Sequence, residues 1–233
     1  MTFTGSEEDL FAVLRGYDTP TICNGLEAIN PGYRASGYTR RRFAVLAPDL
    51  PPVLGYARTA TIRSAMPPAG DPARKRVDYY TYVSAPTEQP RVVVIQDLDA
   101  EAAVGAFWGE VNTNIHKALG VAGCVTNGSF RDLDDSADGF QLLGGQVGPS
   151  HAYVHVDGFG APVDVHGMQV AHDDLVHADK HGAVRFSLDE ARQLPDAIAE
   201  IAAREKITLD ACKAPDFSID RLREILLGPK DVH

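Results

Sequence analysis

Cysteine is scarce in this chain: Cys23, Cys124 and Cys212 stand far apart and form no Cys-x-x-Cys pair. An odd, widely spaced set is no disulfide framework, and without paired thiolates a structural zinc site is not expected. Basic residues are also few. Twenty-two Lys and Arg stand against 32 Asp and Glu, a net charge of −10, so the surface repels a phosphate backbone and no nucleic-acid partner is expected. The one basic run, Arg40-Arg41-Arg42, reads as a solvated turn. No apolar run approaches the ~18 residues that span a bilayer, and residues 1–8 lack the apolar core of a secretory signal. No membrane association is expected, and a reducing cytoplasm is the expected location. Gly-x-Ser-x-Gly, a phosphate-binding Gly-Lys-Ser/Thr and a dinucleotide-binding glycine triplet are all missing, which removes the usual signatures of serine hydrolases, NTPases and nicotinamide enzymes.

What is present suits a globular α/β chain: 44% of the 233 residues are hydrophobic, enough for a core without covalent staples. Ser6 and Asp9 resemble a capping box ahead of Leu10, Phe11 and Leu14, and Gly16 closes that helix. Thr19 reads as an N-cap with Pro20 at the first helical position of a second helix through Ile22, Leu26 and Ile29 that stops before Pro31. Small and β-branched residues at 53–63 predict a strand, and the Pro-, Gly- and Arg-rich stretch 65–76 predicts a loop. The run Val92-Val93-Val94-Ile95 within 91–97 suits a strand buried on both faces. A helix carrying Val111, Ile115, Ala118 and Leu119, capped by Gly120, leads to a second buried strand at 121–126. Residues 91–126 thus form a strand-helix-strand unit. Short antiparallel strands are expected at 151–157, 162–166, 175–178 and 183–186. The remainder reads as helical after a Ser187/Glu190 capping box, interrupted at Pro195, with a last helix from about Ser218 to Leu227 that ends at Gly228-Pro229.

The stretch that carries chemistry is Gly109-Glu110-Val111-Asn112, followed by Gly128-Ser129-Phe130-Arg131-Asp132. Glu110 and the amides of Val111 and Asn112 fall where a loop enters a helix, and free amides at a helix N-terminus bind carboxylates. Arg131 and Asp132 fall just past the carboxyl end of the next strand, where ligands gather in α/β units. Two neighbouring strand ends would gather Glu110, Arg131 and Asp132 around one crevice. Two carboxylates with oxygens from substrate and water suit Mg²⁺ or Mn²⁺. An Arg beside them can hold a keto-acid oxygen and brace an enolate. The same residues also suit a structural Arg131–Asp132 salt bridge beside a turn, and spacing alone leaves both readings open.

The sequence resembles the RraA-like family, which includes 4-hydroxy-4-methyl-2-oxoglutarate aldolases and oxaloacetate decarboxylases. Active members carry Asp-x20-Arg-Asp; here Glu110 is followed by twenty residues and then Arg131-Asp132. The likeness continues through Asp18-Thr19-Pro20-Thr21, residues 55–60, Gly120-Val121-Ala122-Gly123, Asn127-Gly128 and residues 173–182, and so covers most of 15–187. It implies an α/β fold, a β/β/α swivelling-type sandwich with N- and C-terminal helices. Residues 1–187 would be the catalytic domain and 188–233 a helical extension for oligomer contact. It also implies a homotrimer or homohexamer whose site borrows an acid from a neighbouring subunit, with Glu205, then Glu200, as candidates.

By the same resemblance Asp132 binds the metal, Arg131 contacts the pyruvate-like part of the substrate, Glu110 orients metal-bound water, and the amides of Val111 and Asn112 hold the substrate carboxylate. Glu in place of Asp at 110 shifts the carboxylate by one C–C bond, roughly 1.5 Å, which bears on substrate choice more than on reaction type. The implied activity is that of a metal-dependent (class II) aldolase or decarboxylase cleaving a C–C bond of a small 2-oxo acid through a pyruvate enolate. Rival readings are a regulator docking on an RNA-degrading enzyme and an enzyme of the same scaffold acting on a sugar-derived acid. Intact Glu110, Arg131 and Asp132 favour the lyase over the regulator, since a docking surface does not need them.

Six histidines lie between 151 and 181. They read as surface or turn residues, with His151, Tyr153 and His155 on one strand face and His177, Asp179 and His181 on another, because no catalytic-zinc spacing occurs among them. Cys124 reads as a small core residue, Phe107 and Trp108 as core or as an apolar wall of the site, and Lys117 as solvent-facing near a helix start.

Overall fold

Residues 2–228 are described in the computed structural model. Ser6 closes a reciprocal capping box with Asp9 and opens α1 (Glu7–Leu14). The cap of α2 (Thr19–Ile29) is Asp18 rather than Thr19: the Asp18 carboxylate accepts the Thr21 amide, and Thr19 and Pro20 both lie in the first turn. After β1 (Ala44–Val45), strand β2 (Val53–Arg63) has its expected bounds. The loop expected over 65–76 ends early: Asp71 accepts the Arg74 amide and Pro72 begins α3 (Pro72–Val83). The Pro-rich composition concealed a capped start, because Pro is compatible with a first helical turn and Arg is a good helix former.

Then follow β3 (Arg91–Asp97), β4 (Ala106–Trp108), α4 (Glu110–Ala118), β5 (Val121–Thr126) and β6 (Ser129–Phe130). Next come β7 (Gln141–Gly144), β8 (Gln146–Val147), β9 (His155–Phe159), β10 (Val163–Val165), β11 (Met168–Val170), β12 (Leu175–Asp179) and β13 (Gly182–Phe186). The chain ends in α5 (Leu188–Ala191), α6 (Leu194–Lys213) and α7 (Ile219–Leu227). The strand expected from 151 starts at His155, so His151 and Tyr153 lie in the preceding turn and share no strand face with it. The interruption expected at Pro195 falls just before it, at Arg192-Gln193 between α5 and α6, and Pro195 stands in the first turn of α6, where a missing N–H leaves no bond unmade. Lys117 sits in the last turn of α4, not its start. The Ser187/Glu190 box forms as expected. Ser218 caps α7, and Pro229 lies outside the described residues.

The main sheet runs β1-β7-β5-β3-β2-β12-β13, with β9 also on β2. Strands β7, β5, β3 and β2 are parallel, and β1, β9, β12 and β13 join antiparallel. Long β2 is the hub: Val53–Tyr56 pairs with β12 and Ala60–Arg63 pairs with β9, with a register shift at Thr61/Ile62 that leaves Asp157 of β9 as the extra residue. A second, three-stranded parallel sheet is β4-β6-β8, and β10-β11 is a separate hairpin. This is a mixed α/β architecture with a curled sheet and helices at both ends.

Alternation along β3 separates two of the three core clusters. Val93 and Ile95 pack with Tyr79, Phe107, Trp108 and Phe130, on the side of α3 and the small sheet. Val92 and Val94 pack with Val163, Val165 and Met168 of the hairpin. The third cluster joins Leu10 and Phe11 of α1 and Leu26 of α2 to Leu175 and Phe186. Leu194 and Ile198 belong to that cluster, so the first turns of α6 are core, whereas no residue from 199 to 228 is buried. Among the described residues no helix is long and apolar enough to cross a membrane.

Candidate active site

The site is built by the small sheet. Strands β4 and β6 run parallel with Trp108 opposite Phe130, and the Arg131 amide donates to the Trp108 carbonyl at 3.0 Å. Both strands therefore end at the same level. One leads through Gly109 into α4, and the other leads into Arg131-Asp132. The expected pair of adjacent strand ends is present, but it belongs to β4 and β6, strands of three and two residues, rather than to the long strands of the main sheet. That pairing explains how twenty intervening residues place Glu110 beside Asp132.

Asp132 Oδ2 accepts the Glu110 N–H at 3.1 Å, and the same oxygen lies 3.5 Å from Arg131 Nε. Gly109, the residue before α4, offers no side-chain cap of its own, so Asp132 caps the helix from across the site. A Cβ at Gly109 would collide with Asp132 Oδ2; only glycine allows this approach. Asp132 itself has φ +55, a conformation that Asp tolerates better than most residues, and its carbonyl accepts the amides of Asp135 and Ser136 at 3.2 and 3.0 Å. The turn thus holds the carboxylate over the helix end.

With the Glu110 amide taken by Asp132 and the Thr113 amide bonded to the Gly109 carbonyl, the amides of Val111 and Asn112 have no partner in the helix. A buried polar network holds this turn in place. Tyr80 Oη donates to Asn112 Oδ1 at 2.7 Å, and the Asn112 amide nitrogen donates to the Phe107 carbonyl. The Asn112 carbonyl in turn accepts His116 Nδ1–H at 2.6 Å, leaving His116 Nε2 to accept from Tyr79 Oη at 2.8 Å. Burial pushes His116 down to about 4, so it is neutral here, and burial raises the Tyr79 phenol. The Asn112 side chain is thereby occupied, and its main-chain amide is what remains for a ligand.

Arg131, Asp132, Val111 and Asn112 line one cleft of about 570 Å³, with Phe107 and Trp108 as its apolar wall. Glu110 is exposed and does not line it, although its amide is part of the same helix end. Neither Glu200 nor Glu205 lines the cleft of its own chain; Glu200 pairs with Arg204 at 3.4 Å. Lining residues with no place in the site read from the sequence include Arg76 and Tyr80 of α3, and His151, Tyr153 and His155 in and after the turn before β9. The first pair was hidden by reading 65–76 as a loop. The Asp71-Pro72 start signal was available and would have put Arg76 and Tyr80 one turn apart on a helix. Nothing in the spacing of the histidines pointed to the cleft.

Asp132 Oδ1 has no partner among the described residues, and no group of three or more His, Cys, Asp or Glu side chains is placed to hold a metal. One open carboxylate oxygen, completed by water and substrate oxygens, fits Mg²⁺ or Mn²⁺, which keep much of their hydration; it does not fit a thiolate or imidazole cage.

Among curated proteins none matches this chain. Solved structures share its fold. An uncharacterized protein from Pseudomonas syringae pv. tomato str. DC3000 is 16% identical over 95% of this chain and 100% of its own, with a TM-score of 0.69. RraAS2 from Streptomyces coelicolor, described as an unusual member of the RNase ES inhibitor RraA protein family, is 24% identical over 88% of this chain and 99% of its own, with a TM-score of 0.68. The RraA-like family model (Aldolase/RraA) matches residues 19–185, a span that contains β4, α4, β6 and every cleft residue named above, and the chain belongs to the RraA-like family.

Proposed function

We propose that this chain is a lyase that cleaves a C–C bond of a small 2-oxo acid, by retro-aldol reaction or by decarboxylation, through a pyruvate enolate. The observation that carries this reading is the convergence of two unpartnered helix amides, an arginine and an open carboxylate at one cleft. The amides of Val111 and Asn112 bind the substrate carboxylate at the positive end of α4. Arg131 binds the 2-oxo oxygen and gains strength as negative charge develops there. Asp132 would hold Mg²⁺ or Mn²⁺, which when bound supplies Lewis-acid polarisation of the 2-oxo group. Glu110, at the rim, orients water. Phe107 and Trp108 keep the cleft floor dry, which strengthens each of these interactions.

A homotrimer or homohexamer accompanies this reading. Ile207 and Leu209 on the outer part of α6, Phe217 in the turn after it, and Ile219 and Leu226 on α7 are exposed in one chain, an apolar surface for a second copy that would also bring an acid such as Glu205 or Glu200 to the neighbouring cleft. The regulator reading draws on RraAS2, but it gives no role to a capped, open carboxylate facing a cleft. The test is a panel of 2-oxo acids, including oxaloacetate and 4-hydroxy-2-oxoglutarate, with added Mg²⁺ or Mn²⁺ and coupled detection of pyruvate. Turnover of at least one acid supports the lyase; none across the panel contradicts it.

A further inference from the structure

Pyruvate, with its carboxylate on the amides of Val111 and Asn112 and its 2-oxo oxygen on Arg131, fills only one part of a cleft of about 570 Å³. Helix α3 borders the rest. Pro72, Arg76 and Tyr80 all line the cleft, and their spacing of four residues makes them one face of that helix. The neighbouring stripe, Tyr79 and Val83, is buried in the core, which fixes how the helix is rolled. Tyr80 ties this face to α4, since its Oη donates to Asn112 Oδ1 at 2.7 Å. Arg76 stands one turn of α3, about 5.4 Å, further along than that contact.

Its charge is uncompensated. In the basic run Arg74-Lys75-Arg76, Arg74 Nε pairs with Asp78 at 3.2 Å and Lys75 Nζ donates to the Asp157 carbonyl, whereas Arg76 has no ion pair or hydrogen bond among the described residues. The other groups of the cleft differ from it. Arg131 has Asp132 beside it at 3.5 Å. His151 and His155 each direct a ring Nδ1–H at a backbone carbonyl, that of Ala152 at 3.0 Å and that of Tyr153 at 2.7 Å, which leaves the neutral ring an Nε2 that only accepts. Tyr153 supplies a hydroxyl and no charge. Among the described residues Arg76 is therefore the one permanent positive charge of the cleft with no carboxylate beside it, in a chain whose net charge is −10.

We infer that Arg76 binds a second carboxylate of the substrate, carried beyond C4, so that the cleft selects 2-oxo acids with an acid group at both ends over those that end in a methyl group. The inference rests on the 2-oxo acid reading above. A guanidinium presents paired N–H donors that match a carboxylate, and its charge makes each hydrogen bond stronger than one from a neutral hydroxyl. The near carboxylate sits on the α4 amides and the far one on α3, two helices already joined through Tyr80 and Asn112. Holding both ends fixes the carbon chain between them against Arg131 and Asp132. Arg76 touches no reacting atom; it sets which acid is held.

The test uses pairs of acids of equal length, one ending in a carboxylate and one in a methyl group, with Mg²⁺ present. 2-Oxoglutarate and 2-oxopentanoate lack the 4-hydroxyl that retro-aldol cleavage needs, and their binding is measured by calorimetry. 4-Hydroxy-2-oxoglutarate and 4-hydroxy-2-oxopentanoate are compared by kcat/KM. Wild type, Arg76→Gln, Arg76→Lys, Tyr153→Phe and Arg74→Gln are checked by melting curve and light scattering. Wild type should favour the diacid of each pair by about 10- to 100-fold, the range of hydrogen bonds to a charged group. Arg76→Gln should shrink that preference to within about threefold, Arg76→Lys should keep part of it, and Tyr153→Phe and Arg74→Gln should keep most of it. A wild type without the preference, or Arg76→Gln with the preference intact, overturns the assignment, and cleavage of either hydroxy acid then leaves the lyase reading standing. A loss in Arg76→Gln that is equal for both acids, or that accompanies dissociation of an oligomer, makes the residue structural and overturns it too. A wild type that binds 2-oxoglutarate through Arg76 but cleaves neither hydroxy acid overturns the lyase reading and keeps the Arg76 assignment. One that binds none of the four acids overturns both.

Discussion

The Asp132 carboxylate caps a helix that begins 22 residues before it, accepting the Glu110 amide at 3.1 Å while standing 3.5 Å from Arg131 Nε. One side chain thus closes the N-terminus of α4, sets the orientation of the two free amides next to it, and keeps a second oxygen open to the cleft. Structure and chemistry at this position separate by substitution. Asp132→Asn keeps an acceptor oxygen for the Glu110 amide and removes the charge, so it should lose nearly all activity at a melting temperature close to wild type. Asp132→Ala should lose activity and also the cap, worth about 1 kcal/mol or roughly 2–4 °C in Tm. Full activity in Asp132→Asn would leave this residue a purely structural role.

Gly109→Ala tests the close approach on which that arrangement depends. The added methyl would meet Asp132 Oδ2 and the Arg131 side chain, pushing both from their places. A stability loss of about 1–3 kcal/mol is expected, with a drop of at least tenfold in kcat/KM. Unchanged kinetics would mean that the Asp132 position can shift without consequence.

Much of this was legible before the fold. The bounds of β2, β3 and β5 follow from runs of small and β-branched residues that are buried on both faces, and the caps at Ser6 and Ser187 announce their helices, whereas the cap of α2 is Asp18, one residue ahead of the Thr19 that the sequence suggested. The Gly109-Glu110 and Arg131-Asp132 pieces could be read as neighbours. The strands that make them neighbours could not, because two- and three-residue strands such as β4 and β6 carry no periodicity; only pairing in three dimensions defines them. Arg76, Tyr80 and His155 escaped for a related reason. They reach the cleft from α3 and β9, elements whose place against the small sheet is a tertiary fact with no local signal.

Position 110 carries Glu, whose carboxylate stands exposed at the helix end. Glu110→Asp should retain activity with altered preference among acids, and Glu110→Ala should lose most of it. Steady-state kinetics on two acids differing at C4 provide the measurement, and wild-type constants in Glu110→Ala would remove this residue from the reaction.

Among the described residues no lysine lines the cleft. Borohydride reduction in the presence of pyruvate should therefore leave the protein mass unchanged. A stable adduct would identify Schiff-base chemistry and a different class of aldolase.

Two buried histidines make stability depend on pH; one of them, His177, is a fully buried residue of β12 and not the surface or turn residue expected from the sequence. Burial holds both His116 and His177 down to about 4, against the usual 6.5. Below 6.5 the unfolded chain binds protons that the folded chain refuses, so stability is full above that pH and falls as pH drops toward 4. The slope is up to about 1.4 kcal/mol per pH unit for each histidine. Urea midpoints at pH 7 and pH 5 should show the decline; a flat midpoint would mean that these imidazoles meet water.

The central claim is that Arg131 and Asp132 act on a 2-oxo acid rather than on each other. Pyruvate release from oxaloacetate, measured for wild type, Arg131→Ala and Asp132→Asn before and after chelation and Mg²⁺ re-addition, tests it most directly. The wild type should lose activity on chelation and recover it with Mg²⁺. Arg131→Ala should fall by about 10²–10³, roughly 3–4 kcal/mol of transition-state stabilisation, and Asp132→Asn should not respond to Mg²⁺, with both proteins folded by melting curve. Variants that release pyruvate at the wild-type rate, or a wild type indifferent to chelation, would contradict it.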